Sequence, residues 1–150
     1  MKKETAQNPV TGGSSHLIDV MKYLVGEVEE VFAYANHIAF PNFPTEDCII
    51  IVLKFKNGIL GRHMISLGCK RPAEFPLTVM GTKGTLKSNK LYLESLAVKD
   101  FVELPGYFYN HRGACIDSIS DFINKVRNGG EPLVNVLEAT KSIKVCVAAH

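Results

Sequence analysis

The sequence has no long apolar run and no recognisable secretion signal. The longest apolar run, residues 48–53, is far too short to span a lipid bilayer. The chain also lacks a charged start that is followed by an apolar stretch and a small-residue cleavage site. These absences argue against a membrane-spanning or secreted protein, and we expect a cytoplasmic location.

Cysteine is sparse as well. The four cysteines, at positions 48, 69, 115 and 146, lie far apart and form no CxxC pair. Zinc sites usually show such pairs, so the spacing predicts no metal site. Cys48, Cys115 and Cys146 have apolar neighbours and are predicted to be buried, reduced thiols.

Neither sign of charge predominates. Seventeen lysines and arginines against 15 aspartates and glutamates give a formal net charge of +2. The basic residues are scattered, so the charge predicts neither a nucleic-acid partner nor a membrane surface. The length of 150 residues suits one domain, and a hydrophobic content of 46% is ordinary for a globular protein.

A glycine-rich turn of the kind that binds dinucleotides is missing too, because no GxGxxG pattern occurs. Residues 81–85, Gly-Thr-Lys-Gly-Thr, are superficially similar to a phosphate-binding loop, but the eight-residue pattern ending in Gly-Lys-Ser/Thr is absent. The stretch joins two strand-like runs, which favours a hairpin turn. The chain by itself is therefore predicted to bind no dinucleotide cofactor.

What the sequence does contain begins with a helix signal after residue 13. Residues 1–12 are polar and aperiodic and are interpreted as an arm or connector, with the folded domain spanning residues 13–150. Ser14 or Ser15 is expected to cap the helix, and Gly26 to end it. Its apolar stripe is formed by Leu17, Ile18, Met21, Leu24 and Val25.

Strand-like runs fill the middle of the chain. Residues 48–55 are apolar and β-branched, as is typical of a central strand. Asn57-Gly58 then predicts a hairpin to a partner strand at residues 59–67. Further strands are predicted at residues 29–39, 75–80, 85–87, 91–96 and 98–104, which makes a mostly antiparallel sheet of about five to seven strands.

Two helices follow the strands. The first carries an apolar stripe between residues 115 and 126 and ends at Gly129. The second begins at Asn135, where Glu138 completes a capping box. Its apolar face is predicted to consist of Val136, Ile143 and Val147. This order of elements predicts an α+β fold, an open, mostly antiparallel β-sheet with helices packed on one face, and no Rossmann domain.

Helices on one face leave the other face of the sheet uncovered. Along the central run, one side carries Ile49, Ile51, Leu53 and Phe55, and the other carries Cys48, Ile50, Val52 and Lys54. Both sides are mostly apolar, so neither is suited to water. We therefore predict a homo-oligomer, a dimer or a tetramer, in which a second copy covers the open face.

His16 is the candidate for chemistry. It lies on the flank of the first helix beside Asp19 and follows the Gly12-Gly13 loop. An imidazole ordinarily titrates near neutral pH, so at the mouth of a helix it could exchange a proton with a small substrate. The alternative is that His16 only caps or packs the helix. Asp19 likewise serves either as a partner within the fold or as a proton carrier.

Five motifs in order resemble one enzyme family. They lie at residues 13–27, 46–47, 53–61, 80–86 and 121–134, from Gly-Ser-Ser-His-Leu-Ile-Asp to Pro-Leu-Val. Together they resemble the C-terminal domain of the glucose–fructose oxidoreductase and inositol dehydrogenase family. The likeness extends from about residue 8 to the end of the sequence.

This resemblance implies a specific role. Family members pair an N-terminal nucleotide-binding domain with such a C-terminal domain, and a sugar, a cyclic polyol or a related small molecule lies between them. The histidine corresponding to His16 supports proton transfer while hydride passes between the substrate and NAD or NADP. Gly12, Gly13, His16 and Asp19 are then expected to line the substrate site. The cofactor site and the catalytic lysine belong to the other domain, so this chain alone should be inactive.

One position departs from the family pattern. Many relatives carry an aspartate four residues before the histidine, where this sequence has Gly12. Two hypotheses therefore stand. The chain is the substrate-binding and oligomerisation domain of an NAD(P)-dependent oxidoreductase, as a fragment or as a subunit that recruits a nucleotide-binding partner. Alternatively, it is a non-catalytic ligand-binding or oligomerisation module that has lost its redox half.

Overall fold

The computed structural model describes residues 8–70, 75–95, 100–105 and 111–150, with the backbone alone at residues 111–114. The chain divides into two compact units, one of Met1–Arg71 with Val134–His150 and one of Pro72–Leu133. The described residues form the helices α1 (Ser15–Val25), α2 (His111–Asn128) and α3 (Val136–Ala148) and the strands β1 (Val28–Asn36), β2 (Cys48–Phe55), β3 (Leu60–Ser66), β4 (Thr78–Gly81), β5 (Gly84–Lys87), β6 (Lys90–Leu93) and β7 (Val102–Glu103). The predicted α+β class is confirmed.

The first unit is built on a three-stranded antiparallel sheet in the order β1-β2-β3. The central strand β2 has the bounds that its apolar run predicts. The predicted hairpin joins it to β3, and the Phe55 N–H donates to the Ile59 carbonyl at 2.9 Å across the turn. Strand β2 therefore has a partner strand on both sides over most of its length.

One face of this sheet forms the core. Ile49, Ile51, Leu53 and Phe55 alternate along β2 and are at most 1% exposed. They pack with Ile18 of α1 and with Val145 and Cys146 of α3 in one hydrophobic cluster. Because side chains alternate across a strand, both helices cover the same side of the sheet. The prediction of helices on one face is confirmed for this unit.

The opposite side of the same sheet is apolar and exposed. In the strand register, Tyr34 and Met64 lie opposite Ile50, and Phe32 lies opposite Val52. These five residues define the open face, and their side chains are 42–74% exposed. An exposed apolar cluster of this kind usually marks an interaction surface.

The second unit contains a four-stranded antiparallel sheet in the order β4-β5-β6-β7, together with α2. Gly81 and Gly84 pair at the end of the β4–β5 hairpin, which confirms the predicted turn. The predicted number of strands is present, but in the described residues they belong to two sheets, because β4 pairs with β5 and not with β3. Residues 96, 98 and 99 of the predicted strands lie outside the described residues.

The last helix begins as predicted but buries a different face. The Asn135 side chain accepts hydrogen bonds from the N–H groups of Leu137 and Glu138, both at 3.0 Å. Val136, Ile143 and Val147 are exposed, so the predicted apolar face is wrong. Instead α3 buries Ser142, Val145 and Cys146. The reason is a polar contact between Ser142 and α1, described below, which keeps the side of α3 that carries Ser142 buried.

The cysteine prediction is correct only in part. Cys146 is buried and Cys48 is half-buried, but Cys115 is exposed because α2 leaves its apolar stripe open to solvent. None of the helices in the described segments is long and apolar enough to cross a membrane.

Candidate active site

The candidate site lies on a continuous helical run that starts before α1. A π-helical turn, Val10–Ser14, passes directly into α1. Asn8 holds its start, because its side-chain oxygen accepts from the Val10 N–H at 2.7 Å and its carbonyl accepts from the Gly12 N–H at 2.8 Å. Val10 is fully buried, so residues 10–12 of the predicted arm pack with the domain. Residues 1–7 lie outside the described residues.

The expected serine cap of α1 is wrong for Ser14. Ser14 has helical backbone angles, and its side chain caps no amide. Because the helical run begins at Val10, Ser14 lies inside it and its hydroxyl is available for another partner. The predicted end at Gly26 is confirmed, since its N–H donates to the Lys22 carbonyl at 2.8 Å.

His16 is the second residue of α1, and its side chain is exposed. Among the residues that the structure describes, its ring forms no hydrogen bond. Gly12 and Gly13 lie one turn earlier and are half-buried. The structure thus presents an accessible imidazole beside a side-chain-free stretch of helix, a geometry that suits proton exchange with a small molecule.

Asp19, the fourth predicted site residue, contacts α3. The Ser142 hydroxyl donates to Asp19 Oδ1 at 2.5 Å, and Lys22 Nζ donates to Ser142 Oγ at 3.2 Å. Lys22 is only 7% exposed and Ser142 only 3%. This chain of hydrogen bonds, which we call the α1–α3 network, joins the two helices through a buried ammonium, a hydroxyl and a carboxylate. It fixes the side of α1 from which His16 and Asp19 project.

A second buried polar pair lies under the π-helical turn. His63 Nε2 on β3 lies 2.8 Å from Ser14 Oγ, and both side chains are buried. Burial lowers the pKa of the His63 imidazole below its ordinary value, so the ring is neutral at pH 7. Gly13 packs closely on the same strand, where a β-carbon would stand 2.6 Å from Ile65 Cδ1.

Sequence reasoning missed His63, Lys22 and Ser142. His63 had a detectable signal, because it occupies the inward position of the predicted strand between Gly61 and Ile65. Lys22 and Ser142 carry no comparable signal, since a charged residue in a helix normally faces solvent.

One groove of about 450 Å³ lies along the exposed side of α3 and is lined mainly by Val136, Thr140, Ile143 and Val147. The described residues also contain no group of His, Cys, Asp and Glu side chains that would hold a metal ion. His16 is exposed and does not line this groove.

Comparison with known proteins identifies the family. Residues 2–150 match the oxidoreductase family, C-terminal alpha/beta domain, of the glucose–fructose oxidoreductase and inositol dehydrogenase type. The chain belongs to this family. No curated protein sequence matches this oxidoreductase domain.

Solved structures share its fold. Levoglucosan dehydrogenase in complex with NADH and levoglucosan superposes with a TM-score of 0.82 at 16% identity, over 95% of this chain and 47% of that one. A probable dehydrogenase from Thermotoga maritima gives 0.77 at 22% identity, over 98% and 48%. The WlbA dehydrogenase from Bordetella pertussis, in complex with NADH and UDP-GlcNAcA, gives 0.66 at 25% identity, over 91% and 39%. The oxidoreductase domain thus spans less than half the length of these enzymes.

Proposed function

We propose that this chain is the substrate-side and oligomerisation domain of an NAD(P)-dependent oxidoreductase that acts on a sugar, a cyclic polyol or a related compound. The observation that carries the proposal is the exposed His16 on α1, a helix that the α1–α3 network anchors through Asp19 and Lys22. Two similar structures hold NADH together with a sugar or a nucleotide sugar, which supports this substrate class.

The described residues do not fit a dinucleotide. A pyrophosphate is normally bound where a glycine-rich turn leads from a strand into a helix. Here the turn between Gly81 and Gly84 joins two antiparallel strands, so it offers no helix amino end. The cofactor of the complete enzyme is therefore assigned to a separate nucleotide-binding domain or subunit.

The contribution of this chain to the reaction is then proton transfer. In the oxidative direction an imidazole nitrogen of His16 takes the proton of the substrate hydroxyl, and in the reverse direction it returns it. Gly12 and Gly13 have no side chains and let a polyol approach the helix closely. Asp19 is proposed to contact the substrate through Oδ2, since Oδ1 accepts the Ser142 hydrogen bond.

The test uses the complete enzyme, in which this chain is joined to or assembled with its nucleotide-binding half. His16→Ala should lower kcat by roughly two to four orders of magnitude, the usual share of a proton-transfer group. Its melting temperature should stay close to that of the wild type, because the side chain is exposed. His150→Ala, at another exposed histidine, is the control and should keep full turnover. Unchanged turnover in His16→Ala would contradict the catalytic assignment.

Assembly forms the other half of the proposal. The open face presents Phe32, Tyr34, Ile50, Val52 and Met64 to solvent on one side of the first sheet. A second copy packed face to face around a two-fold axis would remove this apolar cluster from water. We therefore include homo-oligomerisation through the open face in the proposed function.

One observation favours the second candidate, a non-catalytic ligand-binding or oligomerisation module. Gly12 stands where many relatives carry an aspartate, so the site has one acidic group fewer. The reading frames beside the gene discriminate between the two candidates. A neighbouring or continuous frame that encodes a nucleotide-binding half supports the enzyme, and its absence supports the module.

A further inference from the structure

The π-helical turn before α1 requires an explanation. Such turns are rare, have an i→i+5 hydrogen-bond pattern, and occur frequently at functional sites. This one spans Val10–Ser14 and is followed at once by α1 with His16. Since an α-helical pattern is normally preferred, contacts from outside the helix must hold the turn in its π form.

Strand β3 supplies part of those contacts, together with α3. Its inward residues alternate along the strand, and each lies against the helical run. Gly61 lies against Met21, His63 against Ser14, and Ile65 against Gly13. The helical run therefore crosses β3 in the opposite chain direction, with His63 in the middle of the three contacts. Only His63 makes its contact through a hydrogen bond.

The His63–Ser14 pair is well suited to fix the turn. Its two polar atoms lie 2.8 Å apart, and the Ser14 side chain has no exposed surface. A buried hydroxyl that loses its partner is left unsatisfied, so the fold resists any movement of Ser14 away from β3. Ser14 is also the last residue of the π-helical turn, and His16 follows two residues later.

We propose that His63 is a positioning residue for His16, acting through Ser14 to hold the turn in its π form. This inference rests on the proposed function. If the turn relaxed to an α-helical pattern, the residues before Ser14 would shift by one position relative to α1. One position corresponds to a rotation of about 100°. Gly12 and Gly13 would then no longer lie beside His16 as they do now.

The test compares variants of the full chain by NMR. His63→Leu removes the hydrogen bond, whereas His63→Gln places an amide near the position of Nε2 and can restore it. We expect His63→Leu and Ser14→Ala each to raise amide hydrogen exchange at Gly12 and Gly13 at least about tenfold and to shift the ring signals of His16. His63→Gln should stay close to the wild type. The double variant that combines His63→Leu with Ser14→Ala should change little beyond either single variant, since both substitutions remove the same bond.

Phe55→Leu is the control, because Phe55 is fully buried at the end of β2 opposite to Ile49, which pairs with Ile65 beside Gly13. It should lower stability while leaving the His16 ring signals unchanged. If His63→Leu fails to fold, Ser14→Ala carries the test, since it removes only the hydroxyl. Unchanged His16 signals and unchanged exchange in Ser14→Ala would overturn the positioning role. Failure of His63→Gln to restore the signals would do the same.

These readouts need no turnover, so they separate this inference from the proposed function. In the complete enzyme His63→Leu should in addition lower kcat at least about tenfold and raise KM, because Gly12 and Gly13 would move away from His16 and small misplacements around a catalytic group are costly. If His16→Ala leaves turnover intact while the NMR changes occur, only the catalytic assignment fails. If His16→Ala abolishes turnover and the NMR changes are absent, only the positioning role fails.

Discussion

Removal of one hydroxyl should destabilise the first unit markedly. In Ser142→Ala the α1–α3 network loses both of its hydrogen bonds, one from Lys22 Nζ and one to Asp19 Oδ1. Hydrogen bonds to charged groups contribute about 1.5–3 kcal/mol each, but the two share one hydroxyl and one charge remains near the other. We expect the free energy of unfolding to fall by about 3 kcal/mol. For a chain of this length the melting temperature should fall by roughly 6–12 °C.

We attribute most of this cost to the Lys22 ammonium, which is 7% exposed and loses its hydrogen-bond acceptor. Removing the charge together with its partner should therefore restore stability, as is common for buried ionic groups. The double variant of Lys22→Met and Ser142→Ala should unfold at a urea concentration above that of Ser142→Ala alone. Thr140→Ala is the control, because its exposed hydroxyl donates to the Val136 carbonyl of its own helix.

Urea unfolding followed by circular dichroism measures all four chains. Thr140→Ala should stay within about 0.5 kcal/mol of the wild type. The reasoning would be refuted by a Ser142→Ala chain as stable as Thr140→Ala. It would also be refuted by a double variant less stable than Ser142→Ala, since the buried charge would then not be the source of the cost.

Three further predictions concern pH, assembly and cofactor binding. Burial lowers the pKa of His63 in the folded state, so as pH falls the unfolded chain takes up a proton at this histidine before the folded chain does. The urea midpoint should therefore decline as pH falls below about 6.5. His63→Gln should lack this part of the pH dependence. Light scattering at tens of micromolar should give the wild-type chain the mass of a dimer or a tetramer. Val52→Lys on the open face should give the mass of a monomer. A wild-type monomer would contradict the proposed assembly. Calorimetric titration of the chain alone with NADH or NADPH should give no heat of binding, and micromolar affinity would show that a nucleotide site had been overlooked.

Local patterns in the sequence predicted most of the elements. The β-branched run of β2, the Asn57-Gly58 turn and the Asn135 cap are each determined by neighbouring residues, and the structure has all three. The burial of the apolar stripes depends on distant residues instead. Nothing local to α3 shows that Ser142 would face Lys22, which lies far away in the sequence. For the same reason Ser14 was expected to cap a helix, whereas its hydroxyl meets His63 on another strand.

The position of the candidate residues along the chain was predictable from the sequence. The contacts that hold them in place were not. The sequence predicted His16 and Asp19 on one helix after a Gly12-Gly13 loop, whereas in the structure the two glycines belong to the helical run itself. The π-helical turn gives no recognisable pattern, because its i→i+5 bonds depend on contacts from β3. The division of the strands between two sheets is equally non-local, since pairing partners are chosen by the whole fold.

The discontinuous first unit has a consequence for folding. Its last helix, α3, is separated from β3 by the whole of the second unit, Pro72–Leu133. Bringing α3 back against α1 closes a long loop, and the length-dependent entropy of that closure is of order 4 kcal/mol. During synthesis Ile18 and Lys22 therefore remain uncovered until a distant segment has been made. A chain interrupted within the second unit would hold a sheet and one helix without its second cover, a species prone to aggregate. The order of segments along the gene thus makes the completion of α3 the step that commits the first unit to its native state.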